Sequence, residues 1–148
     1  MSTPAASLAE DIAAARRAED PQRLLQALPY ARFLGAEARL VEGQLRLLLP
    51  PSPHLVGNPL LPALHGGVLA ALAELAAIAT LLWQQEAFAL PKTVTSTVDF
   101  ARSAGLKPTY AEGRVGRLGR RIATVAVNLW QDSAARPVAS AHTHFLLS

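Results

Sequence analysis

One stretch of the chain is far more apolar than the rest and predicts a long buried helix. Residues 64–83 read LHGGVLAALAELAAIATLLW, and Glu74 is the one charged residue among them. A run of this length, apolar around most of its circumference, is typical of the central helix of a small domain. We place that helix at about Gly66–Gln85. Two glycines, the carboxylate and many alanines make the run a poor membrane span, so we expect no membrane association.

Shorter patterns on either side of this run predict the remaining elements. Residues 5–18 have apolar positions at helical spacing and residues 22–28 follow a proline, so a helical extension is expected over residues 1–30. Six segments have the composition and alternation of β-strands, namely 34–41, 44–49, 93–102, 109–117, 122–131 and 137–147. The proline-rich segment 50–62 is expected to be a loop. This order predicts an α+β domain in which a mostly antiparallel sheet wraps around one helix.

The size and composition favour a single domain that associates with further copies of itself. The chain has 148 residues, of which 51% are hydrophobic and 17% are charged. A chain of this length has room for one core, and its apolar excess is expected to be buried between subunits. There is no cysteine, which excludes disulfides and thiolate chemistry. We expect a cytoplasmic protein, since the N-terminal residues lack the apolar core of a signal peptide.

Positive charge is concentrated in the second half of the chain. Residues 1–91 carry six basic and eight acidic side chains, whereas residues 92–148 carry eight basic and three acidic ones. This imbalance suits a phosphorylated ligand. Nucleic acid is not expected, because few aromatic residues are interleaved with the basic ones and no nucleic-acid-binding motif occurs.

The long helix carries two features of chemical interest, a glycine pair where it begins and a carboxylate near its middle. Gly66 and Gly67 follow His65 at the N-terminus, where backbone N–H groups are free and the helix dipole is positive. Glycines leave these amides open, so the pair is a candidate oxyanion site, although tight packing at a loop–helix junction explains it equally well. Glu74 has only apolar neighbours one helical turn away. Such a carboxylate is either satisfied by another element or kept there for chemistry.

The spacing of these two features predicts how a common site would be built. Glu74 lies eight residues after Gly66, which is roughly 12 Å along a helix. A glutamate side chain does not reach across that distance to a substrate atom held at Gly66 of the same chain. If both groups are catalytic, the site forms between two copies of the helix that run antiparallel across a two-fold axis.

Several motifs together resemble one enzyme family. The stretch NPLLPALHGGVLAALAE, with an acid eight residues after the first glycine of His-Gly-Gly, resembles the hotdog-fold acyl-CoA thioesterases of the phenylacetic-acid-degradation type. The segments TSTVDFARSA, GRVGRLGRRIATVAV and VASAHTHF are similar to the strands after the helix in that family. The resemblance covers about residues 34–147. It implies a hotdog fold, in which a curved antiparallel sheet wraps one long helix, and a homodimer or a dimer of dimers.

The same resemblance implies an activity and assigns roles within it. The activity is hydrolysis of an acyl-CoA thioester to a free acid and CoA, with no metal and no redox cofactor. The Gly66 amide would polarise the thioester carbonyl, and Glu74 of the partner subunit would act as general base on water or as nucleophile. Asn58, seven residues before His65, would resemble the asparagine that positions the water or the acid. Thr93 would resemble a Ser or Thr on the adjacent strand that assists at the same carbonyl or water.

Further residues are expected at the substrate. His65 and Gly67 belong to the motif, and we expect His65 to fix the loop through hydrogen bonds. Arg117, Arg120 and Arg121 flank one predicted turn, and arginine suits the recognition of phosphate groups. We predict that some of them hold the nucleotide end of CoA, although a solvated basic turn explains any single one equally well.

Two other functions stay open on the sequence. A non-catalytic hotdog protein would bind acyl-CoA or serve as an assembly partner, and the intact Gly66 and Glu74 count against it. A hotdog dehydratase or hydratase of acyl thioesters would favour a histidine base beside an acid in a different arrangement. His142 and His144 lie two apart on one predicted strand, which is too few ligands to indicate a metal site.

Overall fold

The computed structural model describes residues 4–85 and 90–147, and it contains the predicted sheet and long helix. Three helices come first: α1 (Pro4–Arg17), α2 (Pro21–Gln26) and α3 (Pro29–Leu34). The elements that follow are β1 (Glu37–Val41), β2 (Gln44–Leu49), β3 (Val56–Asn58), β4 (Ala63–Leu64), α4 (Gly66–Gln84), β5 (Lys92–Phe100), β6 (Thr109–Leu118), β7 (Ile122–Trp130) and β8 (Ala139–Leu146).

The strands form one large antiparallel sheet and one small one. The large sheet has six strands in the order β1-β2-β6-β7-β8-β5, and β3 pairs with β4 separately. Strand β5 follows the long helix directly in the chain, yet it lies at the edge of the large sheet beside the last strand. Its other edge has no strand partner among the described residues.

The core lies between α4 and the inner face of the large sheet. Residues along β8 alternate between buried and more exposed positions, so that Ala141 and Phe145 point inward. Helix α4 is long and apolar enough to span a membrane by length and composition, but 56% of that window is buried inside the fold. It is therefore the core helix, around which the sheet wraps.

The sheet approaches the helix as closely as glycine allows. An ideal β-carbon on Gly113 of β6 would lie 2.8 Å from Thr80 Oγ1 and 3.1 Å from Val125 Cγ1. The Thr80 hydroxyl is buried and donates a hydrogen bond of 2.7 Å to the Ala76 carbonyl of its own helix, so it is satisfied without the sheet. Small residues at this crossing set a short distance between helix and sheet.

The N-terminal region differs from the prediction in one element. Helix α3 was not predicted. It includes Leu34, where the first strand was predicted to begin, and that strand begins at Glu37 instead. Pro29 opens this helix at its first turn, and Gly35 ends it in the left-handed conformation, with a φ of 81°. Both signals were present in the sequence. Residues 1–3 of the predicted helical extension lie outside the described residues.

Two further regions contain detail that the sequence did not predict. The predicted loop 50–62 contains a short 3₁₀ turn at Pro53–Leu55 and the whole of β3. Helix α4 ends at Gln84, and Gln85, which was predicted to be its last residue, is its C-cap with extended backbone angles.

Candidate active site

The N-terminus of α4 has one open backbone amide. His65 is the N-cap, and its Nδ1 accepts a hydrogen bond of 2.8 Å from the Gly67 amide. The amides of Val68 and Leu69 donate to the His65 carbonyl at 2.9 and 3.4 Å. Of the first four backbone amides of α4, the Gly66 amide is thus the one with no acceptor in residues 4–85 and 90–147. It is half-buried at the positive end of a 19-residue helix.

The loop before α4 holds His65 in this position from two sides. The His65 amide donates to the Leu55 carbonyl at 2.9 Å, and the Leu64 amide donates to the Ala104 carbonyl at 2.8 Å. On the other side lies Gly57, where an ideal β-carbon would come 2.6 Å from His65 Cα and 2.9 Å from His65 Cβ. The sequence-based reasoning missed Gly57. An isolated glycine between apolar and polar strand residues is a known signal of close backbone approach, and it was available in Val56-Gly57-Asn58.

The carboxylate of Glu74 has one hydrogen-bond partner among residues 4–85 and 90–147. The Thr93 hydroxyl of β5 donates to Glu74 Oε1 at 2.8 Å. Glu74 is half-buried, and none of the cations in the described parts of the chain lies within ion-pair distance of it. The structure thus brings together two of the predicted site residues, which lie 19 positions apart in the sequence. A carboxylate oriented by one hydroxyl keeps its remaining lone pairs for a water molecule or a substrate.

Asn58 is engaged in its own turn. It is exposed at the end of β3, which pairs with the strand that leads into α4, and its Oδ1 accepts a hydrogen bond of 3.0 Å from the Leu60 amide. Within the described residues its side chain makes no hydrogen bond to Glu74 or Thr93. One chain therefore does not join all four predicted catalytic residues.

An aromatic ring lies at the glycine end of the helix. An ideal β-carbon on Gly66 would lie 3.4 Å from Phe100 Cζ and 3.5 Å from Phe100 Cε1, which is ordinary van der Waals distance, so the ring tip lies directly beside residue 66. Phe100 ends β5, whereas Thr93 lies near its start. Strand β5 therefore contacts both chemical groups of α4, Glu74 near one end and Gly66 at the other. Phe100 was not predicted to belong to the site.

The surface that contains these groups is uncovered and mixes apolar with polar side chains. Eight of the nine residues of β5 are exposed and the ninth, Val98, is half-buried. Val94 and Phe100 expose 64% and 56% of their surface. The adjacent face of α4 is also incompletely buried at Ala71 and Ile78, one turn on either side of Glu74. An exposed edge strand next to a partly exposed apolar helix face is the kind of surface that a partner covers.

The three predicted CoA-binding arginines are exposed at one end of the sheet. Arg117 is near the end of β6, and Arg120 and Arg121 lie in the turn before β7. No acid within the described ranges forms an ion pair with them. The Arg121 carbonyl accepts a hydrogen bond of 2.7 Å from the Leu147 amide, which ties this turn to the end of β8.

Strand register puts that turn on the same side of the molecule as Glu74. Ile122, which follows the turn, is opposite Leu146, and Leu146 is opposite Lys92 of β5. Two strand spacings, or about 10 Å, separate Ile122 from Lys92. Thr93 is the next residue of β5 and contacts the carboxylate. The arginines therefore lie at the end of the sheet where Thr93 meets Glu74, and at the opposite end from Phe100 and the glycine half of the same chain.

No protein metal site is indicated in the part of the chain that the structure describes. Those residues contain no group of three or more His, Asp or Glu side chains arranged to hold a metal ion. His142 and His144 are exposed on the outer face of β8.

Comparison with known proteins identifies the family. The profile of the thioesterase superfamily matches residues 61–137, just over half of the chain, from the approach to α4 to the turn before β8. The chain belongs to the thioesterase superfamily. The predicted family and hotdog fold are thereby confirmed, and membership supports thioester hydrolysis as the general activity of this thioesterase-superfamily protein. No curated protein matches it.

Solved structures with the same fold align with most of this chain. A Chromobacterium violaceum protein is 33% identical, with a TM-score of 0.77 over 94% of this chain and 97% of its own. A phenylacetic acid degradation-related protein from Ralstonia eutropha JMP134 is 25% identical, with a TM-score of 0.73 over 85% and 98%. A Bacillus halodurans protein, solved with CoA, is 22% identical, with a TM-score of 0.74 over 96% and 91%.

Proposed function

We propose that this protein hydrolyses an acyl-CoA thioester to a free acid and CoA, in a site that two copies of the chain share. The observation that supports this most directly is the open Gly66 amide and the hydroxyl-bound Glu74 on one helix, too far apart to act on one substrate atom. Each chain supplies two half-sites, and a second copy completes both. The CoA bound to the Bacillus halodurans relative supports the same class of ligand.

The proposed chemistry needs one donor and one base. The thioester carbonyl oxygen accepts a hydrogen bond from Gly66 N–H, where the helix dipole stabilises the charge that develops on oxygen. The Glu74 carboxylate takes a proton from water as the water oxygen bonds to the carbonyl carbon. When the tetrahedral intermediate collapses, the carbon–sulfur bond breaks and the proton passes to the CoA sulfur. Direct attack by Glu74, through an anhydride that water then hydrolyses, is the other route open to the same carboxylate.

The proposed dimer follows from the exposed edge of β5. Antiparallel pairing of two such edges would extend the sheet across the two-fold axis and satisfy the free backbone groups of both strands. The α4 helices would then lie side by side, with Glu74 of one chain near the N-terminus of the other helix. We propose a homodimer, alone or paired into a dimer of dimers, in the cytoplasm.

The proposed orientation of CoA follows from the arginines. Arg117, Arg120 and Arg121 lie on the side of the glutamate half-site, so the phosphates of CoA would bind to the chain that supplies Glu74. The thioester carbonyl would then reach Gly66 of the other chain. His65 and Gly67 would contribute by forming the helix cap, which leaves the Gly66 amide free to bind the substrate carbonyl.

A test that removes the donor without disturbing the helix is available at Gly66. Proline is favoured at the first helical position, where its missing N–H costs no intrahelical bond. It requires an extended residue before it, and His65 has φ of −62° and ψ of 134°. Gly66→Pro is therefore expected to fold and to lose at least about 10²-fold in kcat. Gly66→Ala, which keeps the amide, is the matched control.

The shared site is tested by mixing two inactive variants. Glu74→Gln and Gly66→Pro are each expected to lose about 10²–10⁴-fold in thiol release from a panel of acyl-CoAs. Once subunits exchange, a mixed dimer contains one intact site and one doubly altered site, so the mixture should recover about a quarter of wild-type activity. A mixture that exchanges subunits and stays inactive would exclude a shared site. A wild-type protein that releases no thiol from any acyl-CoA would exclude the proposed function.

A further inference from the structure

We infer that Phe100 determines acyl specificity, by limiting the space beside the carbon that is attached to the thioester carbonyl. The inference rests on the proposed function and extends it to the class of acyl group. The ring would accept straight-chain or flat acyl groups and exclude those that branch at the carbon next to the carbonyl.

The position of the ring supports this role. Phe100 Cζ lies 3.4 Å from the ideal β-carbon position of Gly66. A β-carbon is about 2.5 Å from its own backbone nitrogen, so Cζ lies no more than about 6 Å from the open amide. With a carbonyl oxygen bound there at about 3 Å, an acyl group that extends toward β5 would come into van der Waals range of the ring.

In the proposed orientation of the substrate, the acyl group and not CoA lies against Phe100. The three arginines of the β6–β7 turn belong to the glutamate half of the site. In a shared site that half comes from one chain, and Gly66 with Phe100 comes from the other. CoA therefore extends toward the chain with the arginines, and the acyl group extends from the carbonyl toward the chain with Phe100.

The exposure of the ring is consistent with a ligand contact. Phe100 leaves 56% of its surface uncovered although it lies beside the first residue of the core helix. A ring that lies beside the helix on one side and is open on the other would form one wall of a pocket that the second chain completes. Its lack of a polar group gives it no part in proton transfer, so it would act on fit alone.

The test is a ratio of two rates measured on one dimeric protein. Butanoyl-CoA and 2-methylpropanoyl-CoA have the same atoms and differ in branching next to the carbonyl. Phe100→Ala should raise kcat/KM for the branched substrate relative to the straight one by about tenfold, since one misplaced methyl group is worth about 10–200-fold in a tight pocket. Phe100→Trp should lower the same ratio. Phe100→Leu provides an intermediate ratio and a second variant should the alanine protein fail to fold.

Controls separate this role from a structural one. Phe33 on α3 is a matched phenylalanine with 76% of its surface exposed, and Phe33→Ala should leave the ratio unchanged. A Phe100→Ala protein that remains dimeric with an unchanged ratio would overturn the inference, as would a loss on both substrates in equal proportion. Wild-type protein that hydrolyses neither substrate nor any other acyl-CoA would overturn the proposed function as well. Wild-type hydrolysis with an unchanged ratio overturns only the role of Phe100.

Discussion

The α-carbon of His65 lies 2.6 Å from where a β-carbon on Gly57 would stand. The atom that such a β-carbon would meet belongs to the backbone, so His65 could not rotate its side chain away from the clash. The absence of a side chain at residue 57 allows the loop to press against the helix N-terminus. The cap that His65 forms with Gly67, and hence the choice of Gly66 as the open amide, depends on that contact.

Replacing Gly57 with alanine should therefore shift His65 and damage the site. The added methyl group should cost about 1–3 kcal/mol in the free energy of unfolding, as is usual for overpacking, and should lower kcat. Urea unfolding and a thiol-release assay measure the two effects. Gly105→Ala is the matched control, because its β-carbon would meet only the Lys107 side chain at 3.8 Å. Equal stability of the two variants would contradict the proposed role of Gly57.

The cap itself can be separated from the histidine ring. His65→Ala removes the acceptor of the Gly67 amide and should cost about 1 kcal/mol in the free energy of unfolding. His65→Asn keeps an acceptor at a position where asparagine is a favoured N-cap, so its unfolding midpoint should stay near that of the wild type. If asparagine restores stability but not kcat, the ring also acts on the substrate. If neither variant loses stability, the capping role of His65 is wrong.

The hydrogen bond from the Thr93 hydroxyl to Glu74 should matter more for turnover than for folding. Thr93→Val keeps the shape of the side chain but removes the donor to Glu74, and it should lower kcat by about tenfold, because a hydrogen bond to a charged group is worth about 1.5–3 kcal/mol. Thr93→Ser should retain most of the activity. Thr95→Val, two residues along the same exposed strand, serves as the control. Steady-state kinetics that show the same kcat for Thr93→Val and Thr95→Val would argue against this role.

The crossing of α4 and β6 predicts a coupled pair. Gly113→Ala places a methyl group 2.8 Å from Thr80 Oγ1 and should cost about 1–3 kcal/mol in the free energy of unfolding. Thr80→Ala removes that oxygen, so the double variant should lose less than the sum of the two single losses. A double-mutant cycle by urea unfolding measures the coupling. Additive losses would show that the hydroxyl is not what the methyl group meets.

The exposed edge of β5 should control both assembly and activity. Val94→Glu adds a charge in the middle of the uncovered surface and should yield a folded monomer without thioesterase activity. Leu40→Glu, on the edge strand at the opposite side of the sheet, is the control and should leave the dimer intact. Light scattering gives the mass, circular dichroism the fold and thiol release the activity. A Val94→Glu monomer with full activity would exclude a site that needs two chains.

The sequence was sufficient for the elements whose pattern is local. The apolar run gave α4 to within one residue at its end, because almost every turn of it faces the core. The alternation of residues 122–131 and 137–147 predicted β7 and β8, because one face of each strand is buried and the other is not. Helix α3 was missed since residues 29–34 are too short for a periodic signal, although Pro29 and Gly35 mark its two ends.

The sequence was insufficient where distant segments meet. Gly57 lies beside His65 because the β3–β4 hairpin folds back on it, and Phe100 lies beside Gly66 because β5 runs next to α4. Neither relation follows from spacing along the chain. Glu74 and Gly66 were found because both lie on one helix, whose rise per residue fixes their separation. Thr93 entered only through a family resemblance, since the pairing of β5 with β8 is what brings it to the carboxylate.

The helix cap formed by His65 also affects the release of the acid product. Anions bind helix N-termini well when several amides point at them together. Here His65 occupies the amide of Gly67, so the Gly66 end offers a single hydrogen bond among the described residues. A thioester carbonyl needs only one donor, whereas the carboxylate formed from it gains most from two. In the proposed reaction the helix end therefore binds the substrate oxygen without retaining the acid product, and the cap favours turnover over product inhibition.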